Sequence, residues 1–250
     1  MKDIKAIGFD LFNTLITVKP ATLDQSNMRM VKSLQEDGLP VHGQTFRKAH
    51  KEAALRFLEE CRKDGRETHN RFWISAALET EGFQIPPDDS RISNAVEAYF
   101  SAFYEFCRLI PGTDEMLGTL KKRYRLGLLS NFTHGPAARK IIDQLGLRPF
   151  FETILISGEL GYRKPHHRVF EELLHHLQVE NHNMLYVGDD PGPDISGAIQ
   201  AGIIPVWMSY VTDQGLLPYS GILAGGEELP DPDILRISDW REFLALLDKA

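Results

Sequence analysis

The sequence contains little cysteine and no long apolar run. Only Cys61 and Cys107 occur among its 250 residues, and their spacing matches no metal-binding motif, which is typical of proteins in a reducing compartment. No stretch approaches the roughly 18 consecutive apolar residues of a membrane-spanning helix. The first residues also lack the charged region and apolar run of a signal peptide. We therefore expect a cytoplasmic protein without a disulfide framework or a membrane segment.

Positive charge is also scarce. The chain has 28 Lys and Arg residues against 35 Asp and Glu residues, and its formal net charge is -7. Because non-specific binding to nucleic acid depends on clustered Lys and Arg, we expect no nucleic-acid partner. Apolar residues make up 42% of the chain and charged residues 25%, as in ordinary globular proteins. The length allows one large domain or a domain with an insert, and no pattern defines an oligomeric state.

Short apolar runs alternate with amphipathic helical patterns in the second half of the chain. Apolar residues recur at helical spacing over residues 136–145 and 165–177. Strands that alternate with helices predict an α/β fold, in which a parallel sheet is connected by crossover helices. A ligand site in such a fold lies at the carboxyl ends of the strands. The predicted strands are residues 4–9, 126–129, 153–156, 184–187 and 203–207.

Residues 22–108 interrupt this alternation. They contain almost no strand-like run and several amphipathic helical patterns, so we interpret them as an all-helical insert after the first strand. The predicted domains are a core formed by residues 1–16 and 110–250 and a helical insert formed by residues 17–109.

The end of the chain carries its own signals. Residues 216–232 are rich in Gly and Pro and predict a long loop that contains Gly225-Gly226. A short strand at 235–237 and a final helix should follow, with Asp239 and Glu242 at the spacing of a capping box.

Polar residues that can carry chemistry lie where these strands should end. A carboxylate nucleophile splits one hard displacement into two easier steps through a covalent intermediate. Asp10, Asp189 and Asp194 would repel one another if the fold brought them together, and Mg2+, which prefers oxygen ligands, would relieve that repulsion. Lys164 adds a positive charge, and Ser130 with nearby backbone N–H groups can hold anionic oxygens. The four clusters are residues 10–14, 130–131, 163–165 and 188–194.

The four motifs, in this order, resemble those of the haloacid dehalogenase (HAD) superfamily of hydrolases. The resemblance covers the whole chain. It implies a Rossmann-like core, with the insert at residues 17–109 as a helical cap of the subfamily I type that closes over the site. The motifs are Phe9-Asp10-Leu11-Phe12-Asn13-Thr14-Leu15, Leu128-Leu129-Ser130-Asn131, Lys164-Pro165, and Gly188-Asp189 followed by Asp194 and Gly197-Ala198.

The resemblance also implies a role for each matching residue. Asp10 would be the nucleophile, and Ser130 and Lys164 would complete the catalytic set by binding the transferring group. Thr14 and Asn131 would join Ser130 in contacting a small anionic substrate. The implied cofactor is Mg2+, with Asp10, the backbone carbonyl of Phe12, Asp189 and Asp194 as its ligands.

Position 12 departs from the pattern of the family's phosphatases. Those enzymes carry an aspartate two residues after the nucleophile, where it protonates the leaving oxygen and then activates water, and this chain carries Phe12. Side chains two apart in an extended segment face the same way, which predicts a ring beside Asp10. General acid–base catalysis is worth roughly 10²- to 10⁴-fold, so the departure puts the leaving group in doubt and leaves the backbone carbonyl for the metal.

Three functions stay open on these residues. A Mg2+-dependent phosphohydrolase that acts on a small phosphorylated metabolite through an aspartyl intermediate accounts best for the acidic fourth motif, because unneutralised clustered acid is costly. A metal-independent 2-haloacid dehalogenase would suit Phe12 and Ser130-Asn131, but those enzymes carry Ser and Asn where this chain has Gly188-Asp189-Asp190. A binding or regulatory protein with little turnover would follow if the loss at position 12 is not compensated.

The cap offers two further candidates. A phosphonatase would need a cap lysine that forms a Schiff base, and Lys48 and Lys51 are candidates on a surface that is ordinarily solvated. A dense polar and aromatic stretch is the first candidate for substrate specificity if the cap closes on an anionic substrate. This stretch, called the cap patch below, comprises Arg66, His69, Arg71 and Trp73.

Overall fold

The computed structural model describes residues 3–216 and 230–248. Its strands are β1 (Ala6–Phe9), β2 (Ile16–Val18), β3 (Cys107–Leu109), β4 (Arg125–Ser130), β5 (Thr153–Ile156), β6 (Met184–Gly188), β7 (Ile204–Met208) and β8 (Leu235–Ile237). Six of them form a parallel sheet in the order β5-β4-β1-β6-β7-β8, and β2 pairs with β3 in a second sheet. The predicted α/β fold is confirmed, and most of residues 216–232, where the long loop was predicted, lie outside the described residues.

The helices fall into two groups along the chain. Four lie between β2 and β3 and are called the cap below: α1 (Thr22–Glu36), α2 (Gly43–Asp64), α3 (Asn70–Thr80) and α4 (Ser90–Phe106). The others are α5 (Thr113–Leu120), α6 (Gly135–Gln144), α7 (Ser157–Leu160), α8 (His167–Leu177), α9 (Gly197–Gln200), α10 (Tyr210–Asp213) and α11 (Trp240–Asp248). Across the described part of the chain, none of the helices has the length and apolar character needed to cross a membrane.

The antiparallel pair β2–β3 is an element that the sequence patterns did not predict. Ile16 pairs with Leu109 and Val18 pairs with Cys107, so the chain segments that enter and leave the cap run side by side. Each strand has three residues, which is too short to produce a recognisable alternation. The pairing fixes the base of the cap close to the loop that follows β1.

Strand β1 is buried on both sides at the centre of the large sheet. Phe9 packs edge-on against Trp240 and Phe243 of α11, with ring centroids 6.1 and 6.2 Å away. On the opposite face Gly8 leaves room for α8, because a Cβ atom there would lie 2.9 Å from a methyl carbon of Leu173. Burial of a side chain the size of phenylalanine contributes about 1.5–3 kcal/mol. These contacts fix the carboxyl end of β1, where the first motif begins.

His50 gives the cap a stability that depends on pH. The ring is buried against Tyr99 and Trp73, and its Nε2 atom forms a 2.8 Å hydrogen bond with Oδ1 of Asn70. Burial lowers the pKa of His50 to about 4, although the hydrogen bond with Asn70 acts in the opposite direction. The folded protein therefore keeps His50 neutral where the unfolded chain, with a pKa near 6.5, is protonated.

We expect His50 to reduce the free energy of unfolding as the pH falls from about 6.5 towards 4, by about 3 kcal/mol in total. The contribution is fully present above pH 6.5, because the residue is neutral in both states there. Denaturant unfolding of wild type and His50→Gln between pH 4 and 7.5 measures it as the difference between the two curves. Parallel curves for the two proteins would contradict this prediction.

Candidate active site

The carboxyl ends of β1, β4 and β6 open into a cavity of about 830 Å³ between the sheet and the cap. Asp10 directly follows β1, and its backbone N–H donates to the carbonyl of Val187 in β6 at 2.9 Å. Ser130 ends β4 and Asp189 directly follows β6. The sheet order therefore brings three of the four sequence motifs to one place, and Lys164 reaches the same cavity from the loop before α8.

The side chain of Lys164 forms three hydrogen bonds in this cavity. Its buried Nζ donates to Oδ1 of Asp10 and Oδ1 of Asp194, both at 2.6 Å, and to the hydroxyl of Tyr186 at 2.9 Å. Burial alone would lower the pKa of Lys164, but Asp10 and Asp194 outweigh it and hold that pKa well above its usual range. Lys164 is therefore a permanent positive charge. Tyr186 was missed by the sequence analysis, because it stands within an apolar run and no motif marks it.

Three carboxylates meet around this lysine. Oxygen atoms of Asp10, Asp189 and Asp194 lie within 4.8 Å of one another. Burial raises the pKa of Asp10 to about 6, against the attraction of Lys164. Burial and the neighbouring Asp10 raise the pKa of Asp189 well above its usual range. Among the described residues no lysine or arginine forms an ion pair with Asp189, whose Oδ1 accepts only a 3.3 Å hydrogen bond from Thr14.

One lysine thus faces three carboxylates, of which Asp10 and Asp194 are buried and Asp189 is half-buried. An excess of two negative charges in a buried site is unfavourable unless a cation compensates it. Carboxylate and carbonyl oxygens are the ligands that Mg2+ prefers, and it commonly uses one or two carboxylates with water and substrate oxygens. The donor set formed by Asp10, Asp189 and Asp194 therefore fits a divalent cation of that kind.

A π-helical turn and a neighbouring glycine, Gly188, allow Asp194 to occupy its position. It lies in a π-helical turn, Pro191–Ser196, and its Oδ2 accepts from the backbone N–H of Asp190 at 3.0 Å. A Cβ atom at Gly188 would lie 2.3 Å from the carboxyl carbon of Asp194, so glycine is required there. Asp190 itself accepts from the N–H of Gly192 at 3.2 Å, which is a turn-forming contact.

Another contact of this motif could not be predicted from the sequence. The indole N–H of Trp207, in the neighbouring strand β7, donates to the backbone carbonyl of Asp189 at 2.9 Å. Trp207 belongs to a predicted strand but to none of the four motifs. Its partner becomes visible only once β6 and β7 are paired.

Ser130 and Asn131 do different things at the end of β4. The Ser130 hydroxyl is buried and forms no hydrogen bond with any residue that the structure describes. A buried hydroxyl without a partner is costly, so this atom is suited to an oxygen of a bound ligand. Asn131 instead directs its amide to the backbone of Lys164, donating to the carbonyl at 3.0 Å and accepting from the N–H at 2.8 Å. Asn131 thereby holds Lys164 in place.

The backbone around Phe12 is not the extended segment that the alternation argument assumed. The chain bends at Leu11 and turns through residues 13–15, so alternation does not hold. The Phe12 ring stacks on Phe132 with centroids 5.0 Å apart and meets Phe103 of α4 edge-on at 6.2 Å. It is 6% exposed and still lines the cavity. Position 12 therefore presents an apolar aromatic wall to the cavity.

The cap patch lies elsewhere than the sequence suggested, since none of its four residues is among those that line the cavity. Nε2 of His69 forms a 3.0 Å hydrogen bond with Nδ1 of His134 in the core, and Nε2 of His134 bonds Glu97 of α4 at 2.8 Å. The Trp73 indole bonds Thr68 within the cap. The cavity is instead lined from the cap by the end of α2 and the turn after it: Leu58, Cys61, Arg62, Lys63, Asp64 and Gly65.

Comparison with known proteins agrees with this architecture. The family model for haloacid dehalogenase-like hydrolases matches residues 4–202. The chain therefore belongs to this family and is a hydrolase. This membership accounts for the order of the four motifs and for a parallel sheet with helices inserted after its first strand.

Individual relatives are phosphatases by name. A glyceraldehyde 3-phosphate phosphatase from Pyrococcus abyssi is 31% identical over 210 residues, which cover 83% of this chain and 82% of the relative. A phosphoglycolate phosphatase from Rhodospirillum rubrum is 30% identical over 247 residues, which cover 96% and 91%. Among solved structures, a 2-haloacid dehalogenase from Pseudomonas syringae pv. Tomato superposes with a TM-score of 0.73 over 98% of this chain and 99% of that one. At 22% identity, that likeness supports the fold alone.

Proposed function

We propose that the protein is a Mg2+-dependent phosphohydrolase that acts on a small anionic phosphomonoester through an aspartyl-phosphate. The observation that carries the proposal is the charge of the site, where three carboxylates, two of them buried, face one lysine and Asp189 forms no ion pair among the described residues. The phosphatase names of the relatives support it. The cavity of about 830 Å³ accommodates a small phosphorylated metabolite.

Asp10 is the proposed nucleophile. A carboxylate oxygen of Asp10 forms a bond to phosphorus while the bond from phosphorus to the ester oxygen breaks. The leaving oxygen takes its proton from water, because position 12 carries no acid. Water then attacks the same phosphorus, which releases inorganic phosphate and restores the carboxylate. Lys164, held 2.6 Å from Asp10, orients the nucleophile and attracts the phosphoryl oxygens.

The remaining site residues bind the phosphoryl group or would hold the cation that neutralises the carboxylates. The unpartnered Ser130 hydroxyl donates to a phosphoryl oxygen, and Asn131 keeps Lys164 in position through its backbone. Asp10, the Phe12 carbonyl, Asp189 and Asp194 would hold Mg2+, which when bound neutralises the carboxylates and the charge of the phosphoryl group. Thr14 supports this set through its bond to Asp189.

A metal-independent dehalogenase is the second candidate, and the stacked Phe12–Phe132 wall is the observation that favours it. A halide leaves without taking up a proton, so an apolar wall beside the nucleophile would suit that reaction. The carboxylate of Asp189 opposes it, because a metal-free site with this charge repels an anionic haloacid.

The deciding experiment measures phosphate release from a panel of small phosphomonoesters, and chloride release from 2-chloropropionate in parallel, each with Mg2+ and with EDTA. We expect phosphate release that EDTA abolishes and Mg2+ restores. Release no greater than that of Asp10→Asn would refute the proposal. Chloride release that is insensitive to EDTA would instead establish the dehalogenase.

Binding of Mg2+ gives a control that does not depend on turnover. A ligand present at 100 times its dissociation constant stabilises the folded state by about 2.7 kcal/mol. The melting temperature of the wild type should therefore rise with Mg2+, and that of Asp189→Asn should not.

A further inference from the structure

Glu67 is a buried carboxylate of the cap that contacts the core. It lies in the connection between α2 and α3, and its side chain is 3% exposed. Oε1 accepts from the backbone N–H of Thr68 at 2.8 Å and from the guanidinium of Arg163 at 3.2 Å. Oε2 accepts from the hydroxyl of Ser157. Because a buried charge must be paired and hydrogen-bonded, these contacts tie this point of the cap to the core.

The segment that contains Glu67 also pairs with the core through its backbone. The N–H of Glu67 donates to the carbonyl of Gly161 at 3.0 Å, and the N–H of Arg163 donates to that of Gly65 at 2.9 Å. Arg66 forms an antiparallel bridge with Tyr162 between them. This pairing joins residues 65–67 of the cap to residues 161–163 of the core.

The Ser157 contact leads to the end of β4. The Ser157 hydroxyl that donates to Glu67 also accepts from the backbone N–H of Phe132 at 2.9 Å. Phe132 stands two residues after Ser130, the residue with the unpartnered hydroxyl. Glu67 therefore orients the hydroxyl that holds this loop.

The Arg163 contact leads to the lysine. Arg163 directly precedes Lys164 in the chain, and its side chain and backbone are both held by the cap. Asn131 holds the backbone of Lys164 from the other side. The loop that carries the catalytic cation is therefore fixed between the cap and the end of β4.

We infer that Glu67 is a positioning residue that orients the segments carrying Ser130 and Lys164. It is not among the residues that line the cavity, so it acts through Ser157 and Arg163. The catalytic part of this inference rests on the proposed function. A displacement of about 1 Å at reacting groups costs on the order of 10²-fold in rate, which sets the scale of the effect.

The first test does not depend on activity. Hydrogen exchange of the Phe132 and Arg163 amides should be at least about tenfold faster in Glu67→Ala than in wild type. The Phe132 amide bonds to Ser157, whose hydroxyl Glu67 holds, and the Arg163 amide belongs to the residue whose guanidinium Glu67 holds. The matched control is Glu52→Ala; Glu52 is an exposed glutamate of α2 whose one ion pair with a described residue is with Lys48 at 3.9 Å. Unchanged exchange at both amides in Glu67→Ala would overturn the inference.

The second test uses kinetics with saturating Mg2+. Glu67→Ala should lower kcat by about 10- to 100-fold and weaken inhibition by inorganic phosphate, while Glu52→Ala changes neither. Glu67→Gln should recover a large part of kcat, because an amide oxygen still accepts from Ser157. Adding Ser157→Ala to Glu67→Ala should lower kcat by less than about twofold more, since residues that act through one another are not additive.

The outcomes separate the two proposals. Independent, multiplicative losses in the double variant, or an unchanged kcat in Glu67→Ala, would overturn the positioning role. If the wild type shows no phosphate release that depends on Asp10, the proposed function fails, and the exchange experiment still decides whether Glu67 holds the two segments.

Discussion

Asp10→Asn should lower Mg2+-dependent phosphate release by at least about 10⁴-fold, the scale on which loss of a nucleophile acts in enzymes with covalent intermediates. An amide oxygen cannot form the acyl phosphate, yet it can still accept the hydrogen bond from Lys164. The loss should therefore appear in kcat, and saturating substrate should not restore the rate. Steady-state phosphate release from the best substrate of the panel measures it.

The fold should survive this substitution. Asp10 is a buried member of a cluster of three carboxylates that repel one another, and its own pKa is raised by burial to about 6. Replacing it removes repulsion, so the metal-free variant should melt no lower than wild type. Asp143→Asn is the matched control, because Asp143 is exposed, pairs with Arg148 and is not among the residues that line the cavity. Retention of more than a few per cent of the rate in a correctly folded Asp10→Asn variant would remove Asp10 as nucleophile.

The positions of the motifs could be predicted because they depend on local sequence. A short apolar run followed by Asp10, Ser130 or Asp189 predicts a strand end, and parallel strands place such ends at one edge. The meeting of these residues therefore followed from topology alone.

Other contacts depend on the packing between elements. Tyr186, Trp207 and Glu67 each complete the environment of a motif residue, yet each stands in a stretch whose pattern is ordinary. These motif residues, Lys164, Asp189 and Arg163, lie 18 to 96 residues away in the chain. Residue spacing in a single sequence does not indicate contacts between residues so far apart in the chain. The roles of these residues are therefore recognised only in the folded structure.

The position of the cap patch likewise could not be predicted from the sequence pattern. His69 and Trp73 have the residue types of a binding surface, but their hydrogen bonds go to His134 and Thr68. Which helix end turns towards the cavity is decided by how α1–α4 pack. Helical spacing gives the face of one helix and leaves its orientation undetermined.

Position 12 is where local reasoning and tertiary packing give different answers, and it yields the second large effect. Phe12 belongs to the aromatic core with Phe132 and Phe103, so its removal should cost about 3–5 kcal/mol of stability. Phe12→Asp and Phe12→Asn lose the same ring and have nearly the same shape. Comparing the two isolates the ability to transfer a proton.

We expect Phe12→Asp to hydrolyse alkyl phosphates about 10²- to 10⁴-fold faster than Phe12→Asn, because position 12 lines the same cavity as Asp10 and general acid–base catalysis has this magnitude. On aryl phosphates, whose leaving groups need no proton, the two variants should have similar rates. Steady-state rates at low temperature, with melting curves for both variants, measure the effect. Equal rates on alkyl phosphates would mean that the proton of the leaving group comes from another residue, and Phe12 would then be a structural replacement rather than a catalytic loss.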